Sequence, residues 1–69
     1  MANVLIIKDL SGRELSRYFH VPVPPQNSAV TTCAREGVVS GRVVNSIYDY
    51  NSGPDGWVAV TVVIDLKMI

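Results

Sequence analysis

From Val58 to Leu66 the sequence alternates without a break. Val58, Val60, Val62, Ile64 and Leu66 fall on one side of an extended chain, and Trp57, Ala59, Thr61, Val63 and Asp65 fall on the other. Such a segment is a strand with its even-numbered face in a core. Ahead of it Asn51-Ser52-Gly53-Pro54-Asp55-Gly56 cannot continue a strand, because Pro54 has no N–H to give and the glycines supply turn angles. The stretch Val38–Leu66 therefore reads as a long hairpin, two strands folded back through that turn. Closing the turn symmetrically sets Tyr50 opposite Trp57, Tyr48 opposite Ala59, Ser46 opposite Thr61 and Val44 opposite Val63. These lie on the face away from an expected core of Val43, Ile47, Val58, Val60, Val62 and Ile64.

The first half of the chain supplies the rest of the sheet. Asn3-Val4-Leu5-Ile6-Ile7-Lys8 is apolar and β-branched, and Leu15 to Val23 is a second run. Leu15, Phe19, Val21 and Val23 share one of its faces, with Arg17 as the exception, and Ser16, Tyr18 and His20 share the other. Asp9-Leu10-Ser11-Gly12 has Asp at the first and Gly at the last position of a type I turn, which predicts a three-residue hairpin loop with Gly12 left-handed. That loop sets Lys8 against Glu14 and Ile7 against Leu15. Pro22, Pro24 and Pro25 withdraw ladder donors, so the second strand ends near Val23 or lies on an edge, and 24–28 is a connector. Residues 29–37 include Val30, Thr31 and Thr32, β-formers in a row, and read as a short strand turning at Glu36-Gly37 or Ser40-Gly41. A short helix over 28–36, capped by Ser28 and ended by Gly37, is the alternative.

Composition narrows the function classes. Sixty-nine residues make one small domain, 1–69, that is marginal by itself. A single cysteine rules out an intramolecular disulfide, and with one histidine it rules out a conventional four-ligand structural zinc site from this chain alone. With 48% apolar and 17% charged residues, the remaining means of support are tight packing or self-association. Six basic residues balance six acidic ones and are scattered, which argues against nucleic acid as a partner. No apolar run is long enough to span a bilayer and no leader pattern opens the chain, so a soluble, cytoplasmic protein is expected, in keeping with a lone thiol.

No catalytic or metal constellation emerges. His20 and Cys33 would have to meet across the fold with an orienting third group, and nothing in their spacing requires it; the expected roles are a solvated histidine and a buried structural cysteine. There is no Gly-rich phosphate loop, and Asp49, Asp55 and Asp65 lack calcium-loop spacing, so neither a cofactor nor a metal is expected. The candidate site is the aromatic cluster Tyr48, Tyr50 and Trp57, a binding or interface surface on the solvent face of the hairpin. Its structural counterpart is a cross-strand aromatic pair that only stiffens the hairpin.

About five short strands with turn residues between them predict an all-β fold, an antiparallel meander closing into a small barrel of the SH3-like or OB-like kind. Ser40-Gly41-Arg42-Val43-Val44 through Gly56-Trp57-Val58-Ala59-Val60, roughly a third of the chain, resembles the central hairpin of the plasmid-encoded, trimethoprim-insensitive dihydrofolate reductases. Those are SH3-like barrels that work as oligomers. Their Val-Gln-Ile-Tyr run after the hairpin is absent, and Val62-Val63-Ile64-Asp65 stands in its place, so the resemblance implies architecture and no activity or site residues. The expected function is a non-enzymatic interaction module, of the kind phages and other mobile elements encode. It would associate with itself or with a partner protein through Tyr48, Tyr50 and Trp57. The rival expectation is an oligomeric ligand-binding protein or small enzyme whose site is built between subunits.

Overall fold

The strand from Val58 lies in the middle of the sheet because both of its edges find a partner. The structure, a computed structural model, describes residues 3–51 and 56–66. It contains β1 (Asn3–Lys8), β2 (Glu14–Phe19), β3 (Ala29–Ala34), β4 (Gly37–Asp49) and β5 (Val58–Asp65). They form one sheet in the order β2-β1-β5-β4-β3, curled into a half-barrel. The all-β expectation is met, residues 29–34 are strand, and no helix occurs among the described residues. The hairpin neighbours are antiparallel, as a meander requires, but β1 and β5 run parallel, with Leu5 beside Val60 and Ile7 beside Val62. Most of the turn expected at 51–56 lies outside the described residues.

The interior is built from the alternation. Val60, Val62 and Ile64 of β5, Leu5 and Ile7 of β1, Val43 of β4 and Leu15 of β2 form the buried core, and Val58 and Leu66 pack partly buried against it. Two bulges decide which other side chains join them. In β4, Val43 pairs with Ile64 but Asn45 pairs with Val63, so Val44 is an extra residue. The slip turns Ser46 and Tyr48 to the inner face, opposite Val62 and Val60, and turns Ile47 outward, where it is 52% exposed. The symmetric register, with Tyr48 against Ala59 and Ile47 in the core, is therefore corrected. In β2, Lys8 pairs with Glu14 as expected but Ile7 pairs with Ser16, leaving Leu15 as the extra residue. Beyond it Tyr18 faces inward beside Leu5, and Arg17 and Phe19 face outward, which removes the anomaly of a charged residue on an apolar face. The strand stops at Phe19, short of Val23, because His20 adopts a left-handed conformation (φ 59°) and turns the chain.

The first hairpin has its expected loop. Gly12 donates to the Asp9 carbonyl at 3.1 Å, Asp9 N–H donates to the Arg13 carbonyl at 3.0 Å, and Gly12 has φ 90°. A Cβ at Gly12 would meet nothing within 4 Å, so the demand for glycine is conformational. Gly12→Val is expected to cost about 1 kcal/mol or more in denaturant unfolding, with a smaller loss for Gly12→Asn, because asparagine tolerates positive φ better than a β-branched residue.

The outer strands β2 and β3 approach each other without a ladder, and side chains close the seam. Buried Thr32 lies 2.6 Å from both the Ser16 hydroxyl and the Tyr18 hydroxyl, a load its one proton and two lone pairs can carry. Arg13 donates to both carboxylate oxygens of Glu36 at 3.1 and 2.8 Å, and its Nε donates to Asp9 at 3.3 Å. The hydroxyl and backbone N–H of Ser11, with the Arg13 N–H, hold the Asp9 carboxyl below its usual value, and the Arg13 guanidinium does the same for Glu36. Both folded-state pKa values are depressed. The stabilisation is therefore complete above the unfolded-state values near ~4 and is lost as pH falls through the lowered folded-state values. Arg13→Met is expected to flatten the acid limb of stability against pH in denaturant titrations, and a limb unchanged by the substitution would count against this linkage.

Candidate functional site

The parallel pairing of β1 with β5 has a consequence for the aromatic residues. Both strands begin at the end of the half-barrel where β2 and β4 finish, so Phe19, His20, Tyr48, Tyr50 and Trp57 gather there from positions far apart in sequence. On the outside, Trp57 is half-buried, with its ring edge-on to Phe19 at 6.2 Å between centroids and tilted over His20 at 4.8 Å. Asn3 fixes this corner: its carbonyl accepts the His20 N–H at 2.9 Å, and its Nδ2 donates to the Val21 carbonyl at 2.8 Å.

On the inside lies a cleft of about 370 Å³, near the small end of the volumes that hold ligands. Val58 and Val60 form its floor and Tyr48 and Tyr50 one wall, with His20 to Val23 opposite and Asn3 at the corner. Tyr48 and Tyr50 are 51% and 71% exposed, so much of both rings faces solvent. Among the described residues, no carboxylate, ammonium or guanidinium lines the cleft. His20 belongs to both surfaces, lining the cleft and packing on Trp57.

The three sequence candidates thus reach the same end on two different surfaces. Trp57 sits outside against Phe19 and His20, while Tyr48 and Tyr50 line the cleft, and the Tyr50–Trp57 cross-strand pair does not form. Phe19, His20, Asn3 and Pro22 were not foreseen as neighbours of the site. The available signal was the break in β-pattern at His20-Val21-Pro22, which forces the chain to turn where β2 ends.

Chemically the arrangement offers apolar area, two phenols, an imidazole and an amide. Among the described residues no three His, Cys, Asp or Glu side chains cluster to hold a metal ion. Cys33 is exposed on β3 opposite Val38, correcting the expectation of a buried thiol, and the structure does not bring it to His20, which packs on Trp57. No helix of the described residues is long and apolar enough to cross a membrane. No family model, curated protein or solved structure matches the chain. The hairpin resemblance to the plasmid-encoded reductases therefore carries no family assignment, and function has to be argued from the aromatic end itself.

Proposed function

We propose that the protein is a non-enzymatic interaction module that self-associates through the aromatic end of its half-barrel. The observation that carries this reading is the gathering of four of the chain's five aromatic side chains, with its one histidine, at that end. Phe19, 56% exposed on the outside, and Tyr48 and Tyr50 in the cleft together offer roughly 300–400 Å² of accessible ring and stem, divided between the two surfaces of that end. That is close to half of the ~800 Å² per partner of a stable interface, before Trp57, His20 and the neighbouring prolines are counted. Rigid aromatic side chains lose little rotamer freedom on burial, which is why they dominate contact surfaces. A second copy is the favoured partner because a domain this small has limited core of its own to sustain it.

Trp57→Ala combined with Tyr50→Ser is expected to shift the assembly toward monomer in size-exclusion light scattering, while unfolding shows that the half-barrel persists. Tyr50→Ser alone removes a largely exposed ring and keeps the comparison valid if loss of Trp57 loosens its packing on Phe19 and His20. An assembly whose mass is unchanged in the double variant would remove the aromatic end from the interface.

A further inference from the structure

The cleft faces a segment with unusual stiffness. Val21 and Val23 each precede a proline, Pro24 precedes Pro25, and the prolines fix their own φ, so all five residues from Val21 to Pro25 are confined to extended or polyproline-like backbone. Val21 and Val23 pack against the core, while Pro22 and Pro25 remain exposed. Beyond the segment, the Ser28 N–H and hydroxyl both donate to the Pro25 carbonyl, at 3.2 and 2.6 Å, and Asn27 N–H donates to the Val43 carbonyl at 2.9 Å. The segment is thereby tethered at its far end as well as at Asn3.

A pre-extended proline segment is the kind of ligand that aromatic-lined grooves take, because little entropy is lost when it docks. This chain carries such a segment and such a groove side by side. We propose that in the self-associated form the Pro22–Pro25 segment of one copy seats on the Tyr48 and Tyr50 rings of a second, and the reverse, about a two-fold axis at the cleft mouth. This rests on the self-association proposed above and names its contact. Charge supports a second copy as the occupant. Residues near a two-fold axis meet their own counterparts, so like charges there would repel, and among the described residues that line the cleft none carries a carboxylate, ammonium or guanidinium. The geometry is also reciprocal: each copy contributes one wall of Val21, Pro22 and Val23, the start of the proline segment, and one tyrosine wall, as an isologous contact requires.

The test uses a mixture of ¹³C-labelled and unlabelled full-length protein at high concentration, with isotope-filtered NOE spectra that report only contacts between copies. Contacts from the Tyr48 and Tyr50 ring protons to Pro22 or Pro25 side-chain protons are the expected result. The paired variant Pro22→Ala/Pro25→Ala should weaken self-association by at least about tenfold, as loss of a central contact does. A dimer whose contacts between copies lie only at Phe19 and Trp57, with none at the prolines, would overturn this inference and leave self-association standing. A monomer throughout the concentration range would overturn both. A monomer that instead binds an added proline-rich peptide at Tyr48 and Tyr50 would show that the groove takes a foreign partner, which also overturns the exchange.

Discussion

Val60→Asp is expected to unfold the protein, whereas Thr61→Asp is expected to leave it folded. Val60 is 1% exposed, flanked by Leu5 of β1 and Tyr48 of β4, and it forms the floor of a cleft lined by no cationic side chain among the described residues. A carboxylate there must either stay charged without a partner or take up a proton and still lack hydrogen bonds. Either course costs about 4 kcal/mol or more. Small domains command only roughly 5–15 kcal/mol in total, and one of this length belongs near the lower end. Thr61 lies one residue on, half-buried on the outer face between Ile6 and Ile47. Aspartate in its place loses mainly β-propensity and some apolar contact, about 1 kcal/mol. Circular dichroism and denaturant titration of the two variants read the difference, and equal losses would show that the inner and outer faces of β5 are misassigned.

Gly41→Val is the second large effect, and its cause is steric. Gly41 is buried mid-strand in β4 where the end of β5 crosses it, and a Cβ there would stand 2.6 Å from the Asp65 carbonyl oxygen, 2.9 Å from its carbon and 3.2 Å from the Leu66 Cα. All three are backbone atoms, so no side chain can rotate out of the way. The strands must separate instead, at a corner where β4 leaves β5 to pair with β3. Gly41→Ala is expected to cost about 1–3 kcal/mol and Gly41→Val more, because overpacking that moves backbone exceeds the usual cost of an added methylene. Thermal unfolding checks the order of wild type, alanine and valine. A Gly41→Ala protein as stable as wild type would place β5 farther from β4 than described.

Which parts of this fold could be read in advance follows from how far each signal reaches. The even-numbered face of β5, the Asp9–Gly12 loop and the positive φ of Gly12 were legible because each depends on residues close in sequence. Residues 29–34 could be read as strand from the run of β-branched side chains. The bulges at Leu15 and Val44 were not legible, since an extra residue reverses the parity of everything beyond it and the adjacent valines Val43 and Val44 give no hint which one faces inward. Gly41 looked like turn chemistry, yet it serves a close approach by a strand more than twenty residues away. The parallel β1–β5 ladder is non-local and has no signature in either strand.

The site inherits the same division. The aromatic residues near the turn do gather at one end of the molecule, but the slip at Val44 turns Tyr48 inward, opposite Val60, and Trp57 is left packing on residues far away in sequence, Phe19 and His20. The exposed rings of Tyr48 and Tyr50, beside a cleft whose described lining residues carry no carboxylate, ammonium or guanidinium, are the basis for proposing self-association. Sedimentation equilibrium of the wild-type protein over a hundredfold concentration range tests that assignment most directly. The account predicts a reversible rise in mass from that of one 7.5 kDa chain to twice that value. A mass that stays at one chain to the highest concentration would contradict it.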